Sequence, residues 1–118
     1  MSIKRLIKSF AHALRGVRVV FHSEQSFRLQ SLAAVVIVLL AIWFRVNAFE
    51  WIVLLLMIGL VLTLELINSV FERIVDTFKP RIHTIVRDIK DIMAATVLLM
   101  SLVALVIGVI IFSLRLFS

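Results

Sequence analysis

Three stretches of this chain carry no charge: Leu29 to Phe44, Trp51 to Leu64 and Ile92 to Leu114. Continuous apolar runs of this kind predict helices that cross hydrocarbon, which takes about 20 residues at a rise of about 1.5 Å each. We expect spans at about 29–44, 51–71 and 92–114, the first of them needing flanking residues to reach across the membrane. The opening segment reads differently. On a helical wheel Ile3, Leu6, Ile7, Phe10, Leu14, Val17 and Phe21 share one side, while Lys4, Lys8, His12, Arg15 and His22 share the other. That pattern predicts an amphipathic helix over about 2–22 lying in the membrane interface. A tight link, "RVNAFE", separates the first two spans. A longer polar connection, "RIVDTFKPRIHTIVRDIKD", separates the last two and holds the only proline, Pro80. There the helix of the second span should be interrupted and followed by a short surface helix. The expected fold is an all-α membrane protein, a single membrane-embedded domain over 1–118.

Composition narrows the picture. The chain has 118 residues, too few for two independent cores, and 63% of them are hydrophobic. A mean hydropathy of +1.16 is far above that of a water-soluble domain. Cysteine is absent, which excludes disulfides and thiolate metal sites. The net charge of +6 does not point to nucleic acid, because the basic residues are not interleaved with aromatics; anionic headgroups account for it more simply. The distribution of Lys and Arg sets an orientation. Six precede the first span (Lys4, Arg5, Lys8, Arg15, Arg18, Arg28) and five lie in the polar connection (Arg73, Lys79, Arg81, Arg87, Lys90). Only Arg45 and Arg115 fall on the other side. The amino terminus is expected inside and the carboxyl terminus outside.

Candidate chemistry is concentrated in "ELINSVFERIVD", Glu65 to Asp76, which continues the second span. Taking Glu65 as origin, helical geometry puts Asn68 at about −60°, Ser69 at about +40°, Glu72 at about −20° and Asp76 at about +20°. The polar groups therefore form one stripe, with Leu66, Ile67, Val70 and Phe71 turned away from it. Ionisable groups at membrane depth are costly, so such a stripe should face protein or water. Carboxylates suit a hard divalent cation, and Lys and Arg suit phosphate. Glu24 at the mouth of the first span and Lys90-Asp91 at the mouth of the third add both kinds of group. Three readings stay open on these residues alone. They are phosphoryl transfer, a proton or cation carrier in a small transporter working through Glu65, and a polar seam in a structural subunit.

These residues also carry a resemblance. "RLIKSFAHALRGVR", "SEQSFR", "ELINSVFE" and "IKD" together resemble the small prokaryotic diacylglycerol kinase and undecaprenol kinase family across nearly the whole chain. The resemblance implies an integral membrane homotrimer of the bacterial cytoplasmic membrane, which uses MgATP to phosphorylate a lipid alcohol at the cytoplasmic face. The family has no P-loop, and none occurs here. Carried over by position, the general base falls on Glu65 and the Mg²⁺-binding carboxylates on Glu24 and Glu72. Nucleotide contacts fall on Arg5, His12, Asn68, His83, Lys90 and Asp91, with Arg28, Ser69 and Asp76 supporting the site. His12 stands where some members have tyrosine. Met93-Ala94 replaces the Gly-Ser that follows the Lys-Asp pair in diacylglycerol-using members. That difference, with "SFRLQSLAA" and "LELIN", favours undecaprenol as the lipid, with diacylglycerol next. The remaining marked residues read as structural: Trp43 and Trp51 as an aromatic belt, His22 as an interface residue.

Overall fold

The computed structural model describes residues 2–78 and 83–117, and its described residues form four helices. These are α1 (Ile3–Ser23), α2 (Gln25–Trp43), α3 (Ala48–Asp76) and α4 (His83–Leu116). The three hydrophobic runs lie in α2, α3 and α4, and each helix is long and apolar enough to cross a membrane. Flanking residues do extend the first span, which begins at Gln25 rather than near Leu29. The second expected span grows at both ends into a helix of 29 residues, about 44 Å long.

One expectation fails. The segment after Pro80 does not make a separate surface helix; from His83 it runs without a break into the third span as a helix of 34 residues. The reason lies in its sequence. Val86, Ile89 and Met93 continue a three- and four-residue apolar spacing into the span, and neither glycine nor proline intervenes before Gly108. Val86 is fully buried, so the polar stretch is held by packing and stays in register with the span. Pro80 itself, with Lys79, Arg81 and Ile82, lies outside the described residues.

Local signals fix the ends. Ser2 caps α1, its Oγ accepting from Arg5 N at 3.2 Å. The α2–α3 link is a helix stop of the Schellman type. Arg45 adopts the left-handed conformation (φ 51°), Arg45 N donates to Ile42 O, and Val46 N donates to Ala41 O. Val46 and Ala41, which that motif brings together, both enter the main buried cluster with Leu54 and Ile111. Asn47 and Glu50 then form a capping box at the start of α3. The Glu50 carboxylate is also held by Arg115 from the end of α4, with Arg115 Nε at 2.8 Å. Helix α3 is the spine, packing most extensively on α4 and next on α2, while α1 lies against the same end as the α1–α2 corner. The assembly is a thin slab, 57 × 43 × 23 Å. Most apolar side chains face outward, among them Trp43, Leu99 and Leu105, as expected of helices bathed in lipid.

Candidate functional site

The corner between α1 and α2 brings the first acid into position. Glu24 leaves helical geometry (φ −118°, ψ 112°), closes α1 through its N–H on Val20 O, and opens α2 as its N-cap. An N-cap acid usually folds back onto its own helix. Here the side chain makes no capping hydrogen bond; Glu24 Oε1 instead accepts from Ser69 Oγ of α3 at 3.3 Å. The start of α2 still favours negative charge there through the helix dipole.

Across the corner, the polar stripe of α3 faces protein from Glu65 to Glu72, while Asp76 at its end is exposed. Glu65 is only 5% exposed and Ser69 is fully buried, while Glu72 is half-buried. Glu24, through its bond to Ser69, stands one turn along α3 from Glu65, and Glu72 stands two turns along the same stripe. Asn68 adds a buried Oδ1 that accepts no hydrogen bond among the described residues. Apart from the Ser69 hydroxyl, already given to Glu24, and the Asn68 amide N–H groups, the cluster offers acceptors: three carboxylates and an orphaned amide oxygen. Such a set calls for a cation or for donors brought by a ligand. Among the described residues no three acids or histidines converge tightly enough to hold a metal by themselves. Carboxylates are nonetheless the ligand type that a hard divalent cation accepts, so Glu24 and Glu72 could serve one whose other ligands come from elsewhere.

The other expected residues divide into two groups. Lys90 and Asp76 meet as an ion pair at 2.6 Å, joining α4 to the last residue of α3, and Asp91 is exposed beside them. Arg28 is drawn into the corner, where its Nη1 donates to Phe21 O and His22 O at 2.8 and 3.0 Å. Those carbonyls belong to the last turn of α1, which has no intrahelical donors for them. By contrast, Arg5 and His12 lie back along α1, about 28 and 18 Å from Glu24 by helical rise. His83 opens α4 and is exposed.

Two contributors were not legible in advance. Ser23 and Arg73 bond across the corner, Arg73 Nη2 donating to Ser23 Oγ at 2.8 Å. In the sequence each merely adjoins a marked acid, Glu24 or Glu72, and only that adjacency could have drawn attention to them. Away from the corner, two open clefts of about 300 and 330 Å³ lie between the spans. Both are apolar, and neither is lined by a candidate residue. The first is crossed by a hydrogen bond from Gln30 Nε2 to Ser101 Oγ, 3.0 Å long.

Comparison with known proteins gives the family. The sequence profile described as prokaryotic diacylglycerol kinase matches residues 11–112. The chain belongs to the prokaryotic diacylglycerol kinase family. It is similar to the undecaprenol kinase of Bacillus subtilis (strain 168), 30% identical over 110 residues that span 93% of this chain and 89% of that one. The diacylglycerol kinase of Escherichia coli (strain K12) is 30% identical over 102 residues, 86% of this chain and 84% of its own. The matched region of this family member contains every candidate residue except Arg5.

Proposed function

We propose that this chain is an ATP-dependent kinase of a membrane lipid alcohol, undecaprenol in the first place and diacylglycerol next. The observation that carries the reading is the buried Glu65 on the α3 stripe that also holds Glu72, with Glu24 bonded to Ser69 one turn away. Family membership supports phosphoryl transfer over a transporter or a structural subunit, since the relatives are named kinases. The similarity to an undecaprenol kinase and the Met93-Ala94 pair support the longer lipid.

In this reading Glu65 accepts the proton of the lipid hydroxyl as that oxygen attacks the γ-phosphorus. A new oxygen–phosphorus bond forms, the bond to the bridging oxygen breaks, and ADP leaves with the electron pair. Glu24 and Glu72 would hold Mg²⁺ together with ATP, and the ion would supply charge stabilisation to the phosphate oxygens. Lys90 and Arg5 offset phosphate charge, Asn68 and Asp91 contact the nucleotide, and His12 and His83 complete its surroundings. Arg5 and His12 are too far along α1 from Glu24 to meet one nucleotide with it unless α1 lies across the site, which suits a homotrimer that assembles sites between neighbours. Helix α1 lies in the interface with its cations toward headgroups, the amino terminus is inside, and the site faces the cytoplasm of a bacterial inner membrane.

The test is transfer of radiolabel from γ-labelled ATP by the purified protein, with undecaprenol, diacylglycerol and ceramide offered in competition. Label is expected mainly in undecaprenyl phosphate. Absence of label from every lipid alcohol would overturn the proposal.

A further inference from the structure

The α1–α2 corner is fastened to α3 at two points, one helical turn apart. Ser69 Oγ donates to the Glu24 carboxylate, and Arg73, four residues on, donates to the hydroxyl of the adjacent Ser23. Residues four apart share a helix face, so both fastenings come from one side of α3. Glu72 lies between them in sequence and is half-buried. The Ser23 hydroxyl is committed in both directions, because its single proton goes to Val19 O at 2.9 Å while its lone pair receives Arg73. Its orientation is thereby set. The charge-assisted bond from Arg73 fixes the residue that immediately precedes Glu24.

We infer that Arg73 is a positioning residue for the divalent site: through Ser23 it sets how far the Glu24 carboxylate stands from Glu72. The inference rests on the proposed role of Glu24 and Glu72 as a metal-binding pair. A hard dication tolerates little error in ligand distance, and partners one shell out from metal ligands typically contribute 10–100-fold in metal affinity. Bonded to Ser23 and set beside Glu72, Arg73 acts on the site without contributing a ligand.

Mn²⁺ binding, followed by the enhancement of water-proton relaxation that appears only when Mn²⁺ and a non-hydrolysable ATP analogue are held on the slowly tumbling protein, tests this directly on the full chain in detergent. Ser23→Ala and Arg73→Ala should each weaken Mn²⁺ binding by about tenfold, and the double variant should be no worse than either single one. Ser23→Thr and Arg73→Lys, which keep the hydroxyl and a donor, should restore most of it. Helical circular dichroism and elution volume report folding, and Ser23→Ala keeps the test open should Arg73→Ala not fold. Unchanged Mn²⁺ affinity in Ser23→Ala would overturn the inference, as would additive losses in the double variant. If the wild type bound no Mn²⁺ with nucleotide at all, the proposed function itself would fall, a result separate from either of these.

Discussion

Lys90 Nζ lies 2.6 Å from Asp76 Oδ1, which ties the third turn of α4 to the end of α3 at the last member of the acidic stripe. Side-chain exposures of 29% and 50% leave this pair in contact with solvent, so its share of fold stability is about 1 kcal/mol or less. Its expected importance is to ligand binding. Lys90→Ala should raise the KM for ATP by about tenfold or more, the usual worth of a hydrogen bond to a charged group. Asp76→Asn should raise it less, since it loosens the ammonium without removing it. Steady-state kinetics with ATP varied checks both, and a change in Tm without a change in KM would make the pair purely structural.

Glu65→Gln should keep the fold and nucleotide binding while lowering kcat by about 10²–10⁴, the range for a positioned general base. The wild-type rate should fall with acidification, because a protonated carboxyl cannot take the lipid proton. Direct binding of an ATP analogue, measured beside turnover, separates the outcomes. Near-normal kcat would return Glu65 to a structural seam. Loss of binding would make it a nucleotide or metal ligand.

Glu72→Gln replaces a carboxylate with a neutral amide, a poor ligand for a hard dication. The Mg²⁺ concentration for half-maximal activity should rise, or turnover should disappear. An unchanged Mg²⁺ dependence would remove Glu72 from the ions around ATP.

Orientation can be read from the two ends of α3. Its 29 residues extend about 44 Å, beyond the roughly 30 Å of hydrocarbon, so its ends must emerge on opposite sides. Ala48→Cys avoids the Asn47–Glu50 capping box and should react with an impermeant thiol reagent in intact cells. Thr77→Cys should not. Reversed labelling would put the proposed site on the wrong side for cellular ATP.

The sequence by itself determined the helical class, the three apolar runs and the acidic stripe of α3. Each is a one-dimensional pattern whose period matches helix geometry, and hydrocarbon imposes that geometry because it leaves no other partner for backbone groups. It also marked Glu24, Glu65 and Glu72 as acids worth joining. It misjudged the segment after Pro80, where charges at Arg87, Asp88, Lys90 and Asp91 suggested a surface piece. The unbroken helix from His83, with Val86 buried against the fold, shows that the segment belongs to α4.

What the tertiary structure decided was how separated stretches meet. That Glu24 turns from its own helix to accept from Ser69, 45 residues away, depends on the angle at which α2 leaves α1. The bond between Ser23 and Arg73 depends on the same angle. The bond from Arg115 back to Glu50, at the other end of α3, depends instead on how α4 packs along α3. None of these contacts leaves a periodic trace along the chain, because the corner and the packing of α3 select them after the helices have formed.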